Sequence, residues 1–251
     1  MPTVNVNPFN SGTNYALGSC TVSGGGVNST IAFNNARGAS SGTVNQSSTS
    51  TPTSIQVSMA IGGRGTTITL SRSFAWFDLS SYASSTSSNT ITALTLKTLS
   101  GGTSGGVATD FVVAKSVNAF SSATTTTLAS GDYNSVFFNT LYSSANLSWA
   151  TAGTSINSAL NSSAVNDANT NGKLNIVWLN DTYDQNNSAP SSGFSFTGIN
   201  HIDQSNPGKI ALSVTYSVPG YSHDVNTVTS TEIVQVNTVA SADIVEINTV
   251  S

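Results

Sequence analysis

Charged side chains are scarce in this chain of 251 residues. Asp, Glu, Lys and Arg make up 7% of it, against roughly 25% in an ordinary soluble domain. No glutamate occurs before Glu232, and Ser, Thr, Asn and Gly supply the missing polarity. A surface built of hydroxyls and amides is typical of a long-lived external structure rather than of a cytosolic enzyme.

Other features are missing as well. The seven basic residues are scattered and the net charge is −4, so we expect no nucleic-acid partner. The single cysteine, Cys20, excludes an internal disulfide framework. No run approaches the roughly 18 apolar residues of a membrane span. The opening MPTVNVNPFN lacks the charged and apolar regions of a secretory signal peptide.

Groups for catalysis and metal binding are few. The chain has two histidines, His201 and His223, and contains neither a GxSxG turn nor HxxxH or CxxC spacing. A pair of carboxylates for glycoside cleavage would have to come from a handful of aspartates. We therefore predict no enzymatic activity, no cofactor and no metal.

The body of the chain is predicted to be all-β. Short apolar runs with strand character alternate with Gly/Ser/Asn turns, which indicates a β-sandwich. Residues 1–50 are the weakest part of this pattern and form either an N-terminal arm or the first strands of the body, which we favour. One short helix is predicted at 155–168. The predicted strands are 15–22, 30–33, 54–61, 66–79, 90–99, 110–117, 136–142, 174–179 (a central strand), 193–199 and 209–218.

Two stretches carry a resemblance. RSFAWFDLSSY at 72–82, followed by ITALTLKTLS, resembles the signature of DNRLRE-type jelly-roll domains. LSWATAG, GKLNIVWLND and PGKIALSVTYS follow in the order of that family, so the match covers roughly 66–217. These domains occur in extracellular and viral surface proteins and are likened to carbohydrate-binding modules. The resemblance implies a jelly-roll-like β-sandwich.

The last 27 residues repeat with a period of eleven: VNTVTSTEIVQ, VNTVASADIVE, INTVS. Eleven residues make three turns at about 3.67 residues per turn, which keeps an apolar stripe on one face of a helix. One chain cannot bury such a stripe, so we predict a helical coiled coil of identical copies. Because β-branched residues favour strands, an intertwined β-structure is the main alternative, and a disordered tail is the third. The predicted oligomerisation residues are Val225, Val228, Ile233, Val236, Val239, Ile244, Ile247 and Val250.

This tail is similar to the VNTVA-type repeats of bacteriophage tail fibres. The resemblance implies a structural protein of a tailed-phage virion, a surface fibre or decoration protein that contacts capsid or tail proteins. Its homotrimeric state is expected by analogy with such fibres. A virion protein, assembled in a host cytoplasm and released by lysis, reconciles an external composition with the absence of an export signal. The predicted units are a head at 1–218, a linker at 219–224 and the tail at 225–251.

The alternative function is a carbohydrate-binding module that adsorbs to host surface glycans. Trp149, Tyr183, Asp181 and Asp184 are its candidate contact residues, although we expect an acidic surface turn at 181–184 and partly buried packing of the aromatic rings. The same turn could supply oxygens to Ca²⁺, but its spacing fits no defined calcium loop. Asp78 is predicted to form an Asx turn.

The other aromatic residues divide by position. Those in apolar strands are predicted to lie in the core: Trp76, Phe77, Phe138 and Trp178. Two more lie near loops, where stacking on a sugar ring is the alternative to packing: Tyr142 and Tyr221.

Overall fold

The chain folds mainly into antiparallel β-strands arranged in two sheets. The computed structural model describes residues 1–8, 10–11, 14–48, 55–62, 67–83, 89–104, 110–117, 127–144, 146–190, 197–202, 210–218, 235–236 and 239–240. The strands are β1 Thr3–Val6, β2 Asn10–Ser11, β3 Asn14–Gly25, β4 Thr43–Ser48, β5 Ile55–Gly62, β6 Thr67–Asp78, β7 Thr90–Ser104, β8 Phe111–Ser116, β9 Val136–Leu141, β10 Ser155–Ala159, β11 Lys173–Asn180, β12 Thr197–Ile202, β13 Ala211–Ser217, β14 Gln235–Val236 and β15 Val239–Ala240. The α-helices are α1 Ser29–Arg37 and α2 Ser162–Asn171.

The longest strand, β7, belongs to both sheets. Its first part pairs with β13 and β10, and β13 pairs in turn with β1, which makes the first sheet. Its last part, from Ser100 onward, pairs with β12 and so enters the second sheet. The all-β sandwich expected from the sequence is therefore confirmed, and β7 is the strand that connects its two layers.

The second sheet is built around β6. One edge of β6 pairs with β3, and the other pairs first with β5 and then with β11. β11 continues to β8 and β9, while β3 continues to β4. Because β6 and β11 are covered on both faces, almost every side chain in them is buried. The central position predicted for residues 174–179 is confirmed.

The main core lies between the two sheets. Leu94 and Leu96 of β7 pack with side chains of the second sheet such as Phe77 and Trp178. Strict alternation would place Ile91 on the opposite face from Leu94. The register with β13 shifts between Thr215 and Tyr216, and this bulge brings Ile91 into the same core.

Helix α1 covers part of the outer face of the second sheet. A strand was predicted at 30–33, and that prediction is wrong. Asn28 caps the helix, because its Oδ1 accepts a hydrogen bond from the backbone N–H of Ile31 at 2.9 Å. Ala32, Phe33 and Ala36 then fall on one helical face and are fully buried.

The helix predicted at 155–168 is correct only in its second half. Residues 155–159 form β10, the edge strand beside β7. α2 begins after Asn161, whose Oδ1 accepts from the N–H groups of Ser163 and Ala164, and it ends at Gly172 with φ of 61°. In the part of the chain that the structure describes, no helix is long and apolar enough to cross a membrane.

Most of the repeat lies outside the described residues. Gln235 and Val236 pair with Ala240 and Val239 as two short antiparallel strands. These four residues are therefore extended, as in the β alternative, whereas the helical coiled coil stays a prediction. The other predicted oligomerisation residues lie outside the described ranges: Val225, Val228, Ile233, Ile244, Ile247 and Val250.

Candidate functional site

A buried ion pair lies on the outer face of the second sheet. Arg72 of β6 is fully buried; its Nε and Nη2 donate to the two carboxylate oxygens of Asp184 at 2.7 and 2.8 Å. Nη1 donates to the backbone oxygen of Tyr133 at 2.7 Å, and Nη2 also donates to that of Arg37 at 3.1 Å. A charge can be buried when it is paired and hydrogen-bonded, and Arg72 meets both conditions.

Aromatic rings complete the surroundings of this pair. The guanidinium carbon of Arg72 lies 4.1 Å from the centroid of the Tyr133 ring and 5.1 Å from that of Phe138. Arg37 lies over the other ring, 4.1 Å from the Phe138 centroid, and its Nε donates to the backbone oxygen of Asp184 at 2.8 Å. Cations over ring faces are favourable, most of all when water is excluded. The cluster thus joins α1, β6, β9 and the turns Ser130–Asn134 and Asp181–Gln185.

The electrostatics of this cluster keep Arg72 charged and the Cys20 thiol protonated. Burial by itself lowers the pKa of Arg72, yet the adjacent charge of Asp184 and the hydrogen bonds to it outweigh burial and raise the pKa. Burial, followed by the charge of Asp132, raises the pKa of the Cys20 thiol to about 12. A thiol of this kind is protonated at neutral pH and is a poor nucleophile. The groups around Arg72 are therefore arranged for holding segments together.

The candidate glycan residues do not converge on one exposed surface. Trp149 is 8% exposed and packs edge-on against Phe111, with centroids 4.8 Å apart. Asp184 is 1% exposed, and its carboxylate accepts hydrogen bonds from Arg72. Asp181 is 8% exposed, while Tyr183 is half-buried. The prediction of an acidic surface turn at 181–184 is wrong for both aspartates, because their carboxylates are buried and hydrogen-bonded to other side chains.

Asp181 has its own internal contacts. Asn146 Nδ2 donates to its Oδ2 at 2.6 Å, and Asn186 Nδ2 donates to its Oδ1 at 3.4 Å. Burial, followed by the nearby charge of Asp110, raises the pKa of Asp181. Within the described ranges, no three His, Cys, Asp or Glu side chains group together as a metal site would require.

Two further predictions concern single residues. Asp78 forms the predicted Asx turn, since its Oδ1 accepts from the backbone N–H of Ser80 at 3.0 Å. Tyr142, placed near a loop by the sequence, is 1% exposed and belongs to the core between the sheets. The predicted core positions of Trp76, Phe77 and Trp178 are confirmed by their burial, and Phe138 is half-buried over the two arginines.

An open pocket lies where β8 and β11 separate. The two strands are paired as far as Lys115 and Ile176, whereas β11 stays paired with β6 down to its first residue. The gap is a pocket of about 270 Å³ beside α2. Its polar lining includes Lys115, Ser116, Tyr142, Asp167, Asn171 and Lys173.

Polar groups of the pocket lining are hydrogen-bonded to one another. Asp167 Oδ2 accepts from Lys115 Nζ at 2.8 Å and from the Tyr142 hydroxyl at 2.6 Å. Burial, then the hydrogen bond to Asp167, raises the pKa of Tyr142, so its hydroxyl remains a donor. Asn171 Nδ2 donates to the backbone oxygen of Asp167 at 2.8 Å.

Arg72 and Lys115, the basic residues of the two sites, are not among the site residues predicted from the sequence. The available signal was a charged side chain inside an apolar strand: Arg72 in ITLSRSFAWF and Lys115 in FVVAKS. Such residues are rarely buried without a partner. The partners Asp184 and Asp167 lie 112 and 52 residues further along the chain, so the sequence alone could not identify them.

Comparisons of the chain with protein-family models, with curated proteins and with solved structures found no match.

Proposed function

We propose that this chain is a non-enzymatic structural protein of a tailed-bacteriophage virion, a fibre or decoration protein at the particle surface. In this proposal a jelly-roll-like head contacts capsid or tail proteins, and the repeat at 225–251 assembles copies of the chain as a helical homotrimer. The observation that carries it is the eleven-residue repeat that follows a β-sandwich. An apolar stripe of that period is buried when identical chains meet.

The distribution of charge supports an external structural role. Of the seven basic residues in the chain, Arg72 is buried and Arg37 is largely covered by the same cluster. The described surface of the head is therefore poorer in charge than the composition already indicates. Such a surface relies on hydroxyl and amide groups for its solubility.

The experiment is the mass of the intact chain in solution, measured by light scattering together with far-UV circular dichroism. A trimer has three times the chain mass of 25.6 kDa and a helical component added to a β spectrum. The double variant Ile233→Asp with Ile244→Asp should dissociate it, because burying a charge in an apolar seam is costly. The matched control is Thr231→Asp with Ala242→Asp, which adds the same charges eleven residues apart on the opposite helical face.

Each outcome has a defined meaning. Dissociation of the seam variant alone supports assembly through the repeat. A monomeric intact chain, or an unchanged mass for the seam variant, would overturn it. An assembled chain with a pure β spectrum would replace the helical coil by the intertwined β-structure.

The second candidate function is a carbohydrate-binding module for host surface glycans. Its four candidate residues do not converge, but the pocket between β8 and β11 is open, polar and next to an exposed aromatic ring. That ring belongs to Phe137, which is 43% exposed. This observation favours a sugar site away from the four candidate contact residues.

A further inference from the structure

We propose that the pocket between β8, β11 and α2 binds one acidic sugar residue, a hexuronate, of a surface polysaccharide. This inference rests on the carbohydrate-binding function and specifies its ligand. It does not require assembly through the repeat.

The charge of the pocket contrasts with that of the chain. Two of the chain's seven basic residues, Lys115 and Lys173, line this pocket although the net charge is −4. Its lining includes one carboxylate, that of Asp167, and this is already paired with Lys115. Lys173 is exposed and forms no salt bridge with any other described residue. One positive charge is therefore left to pair with a ligand carboxylate.

The remaining polar groups suit sugar hydroxyls. The Oδ2 atom of Asp167 accepts hydrogen bonds from both Lys115 and Tyr142. Its Oδ1 atom has no hydrogen-bond donor among the described residues and can therefore accept a hydrogen bond from a ligand hydroxyl. Asn171 adds a side-chain amide to the lining. Since Asp167 is fixed by two donors, its acceptor oxygen is positioned before a ligand arrives. Pre-positioned groups reduce the ordering cost of binding.

Apolar surface lies next to these polar groups. Phe137 pairs with Lys115 across β8 and β9, which places both side chains on the same side of the sheet. The Lys115 Nζ lies 5.8 Å from the centroid of the Phe137 ring. Val117, in the lining itself, is 43% exposed. An exposed ring beside polar groups allows the C–H face of a sugar to pack while its hydroxyls are hydrogen-bonded.

The size of the pocket limits the ligand. Its volume of about 270 Å³ is just below the range of about 300–1,000 Å³ that holds drug-sized ligands. The pocket therefore accommodates a single ring and is open enough for the neighbouring residues of a chain to continue outside. A short polyuronate segment is bound through one residue at a time.

The test compares two sugars that differ only at C6, methyl β-D-glucuronide and methyl β-D-glucoside. Binding to the full chain is measured at pH 7 by ligand-observed NMR titration at constant ionic strength, with acetate as a simple anion. We expect the glucuronide to bind at least about tenfold more tightly than the glucoside. This is the ratio of dissociation constants that one additional hydrogen bond to a charged group produces. Acetate alone should bind more weakly than the glucuronide, because it lacks the hydroxyl and ring contacts.

Variants locate the binding to the pocket. Lys173→Gln should remove the preference for the glucuronide. The control is Lys97→Gln, which should leave the preference unchanged, because Lys97 is a half-buried lysine of the first sheet whose Nζ donates to Asn5 Oδ1. Phe137→Ala should weaken the binding of both sugars. Its matched control is Ile31→Ala, because Ile31 lies on α1 and is 42% exposed.

The outcomes separate the ligand class from the function. Equal binding of both sugars, or a preference that survives Lys173→Gln, overturns the acidic ligand and leaves carbohydrate binding in place. Acetate that binds as tightly as the glucuronide overturns the sugar and leaves a simple anion site. No binding of either sugar overturns the inference and the carbohydrate-binding function together, while assembly through the repeat remains measurable by light scattering.

Discussion

Arg72 connects segments that are far apart in the chain. Its guanidinium contacts Asp184, Tyr133 and Arg37, which are 112, 61 and 35 residues away. Buried pairs of this kind add little net stability compared with an apolar replacement, but breaking one is costly because the remaining charge has no partner. The pair therefore joins segments that are distant in the chain on the outer face of the second sheet.

Replacing Arg72 by methionine should lower the free energy of unfolding by up to about 3–5 kcal/mol. The buried Asp184 then keeps only the longer ion pair with Arg37, whose Nε lies 3.5 Å from its Oδ1. Equilibrium urea denaturation measures this loss. The control is Lys115→Met, since its ion pair with Asp167 is 30% and 26% exposed and such pairs contribute at most about 1 kcal/mol.

A second variant identifies the cause of the loss. Adding Asp184→Leu to Arg72→Met removes the buried carboxylate that has lost its two hydrogen bonds to Arg72, and should recover part of the stability. If Arg72→Met lowered the free energy of unfolding by no more than Lys115→Met does, the buried pair would not connect these segments as described.

At the level of secondary-structure elements, helix α1 forms where the local sequence favours a strand, because it packs closely against β3. Residues 30–33 have strand-like composition, but Asn28 starts a helix and the buried face of that helix lies directly on β3. A Cβ at Gly24 of β3 would lie 2.3 Å from both the backbone oxygen of Ala32 and the backbone nitrogen of Ala36. Only glycine permits this approach, and the contact is invisible in a local window of sequence.

Gly24→Ala should lower the free energy of unfolding by about 1–3 kcal/mol or more, because α1 must move away from the sheet. The neighbouring Gly25→Ala is the matched control, since a Cβ there meets nothing within 4 Å. Gly25→Ala should stay within about 0.5 kcal/mol of the unsubstituted chain. Both are measured by urea denaturation, and equal losses would contradict the close contact between α1 and β3.

For the whole molecule, the described core ends before the repeat. The hydrophobic clusters of the described residues extend no further than Tyr216, and β13, the last strand of the head, ends at Ser217. β13 lies between β1 and β7, so the start and the end of the head meet in the first sheet. That residues 1–218 fold independently of the repeat stays a prediction.

Truncation after Pro219 should leave a folded, monomeric β domain. Its far-UV spectrum should keep the β signature, and light scattering should give the mass of one head. Its free energy of unfolding, measured at a concentration where the intact chain is also monomeric, should change by less than about 0.5 kcal/mol. A truncated head that remained oligomeric would place the assembly interface on the head rather than on the repeat.

The amino-acid pattern alone predicts the class of the fold and the position of most strands, because alternation and turn residues act over a few neighbouring positions. β6, β8, β9 and β11 lie within two residues of their predicted bounds for this reason. Three other features were found only in the folded chain: residues 29–37 are helical, β7 passes between the sheets, and Asp184 pairs with Arg72. Tertiary structure also brought Lys115, Asp167 and Lys173 around one pocket. Each of these depends on contacts between distant parts of the chain, and no local pattern encodes which distant partner will be close.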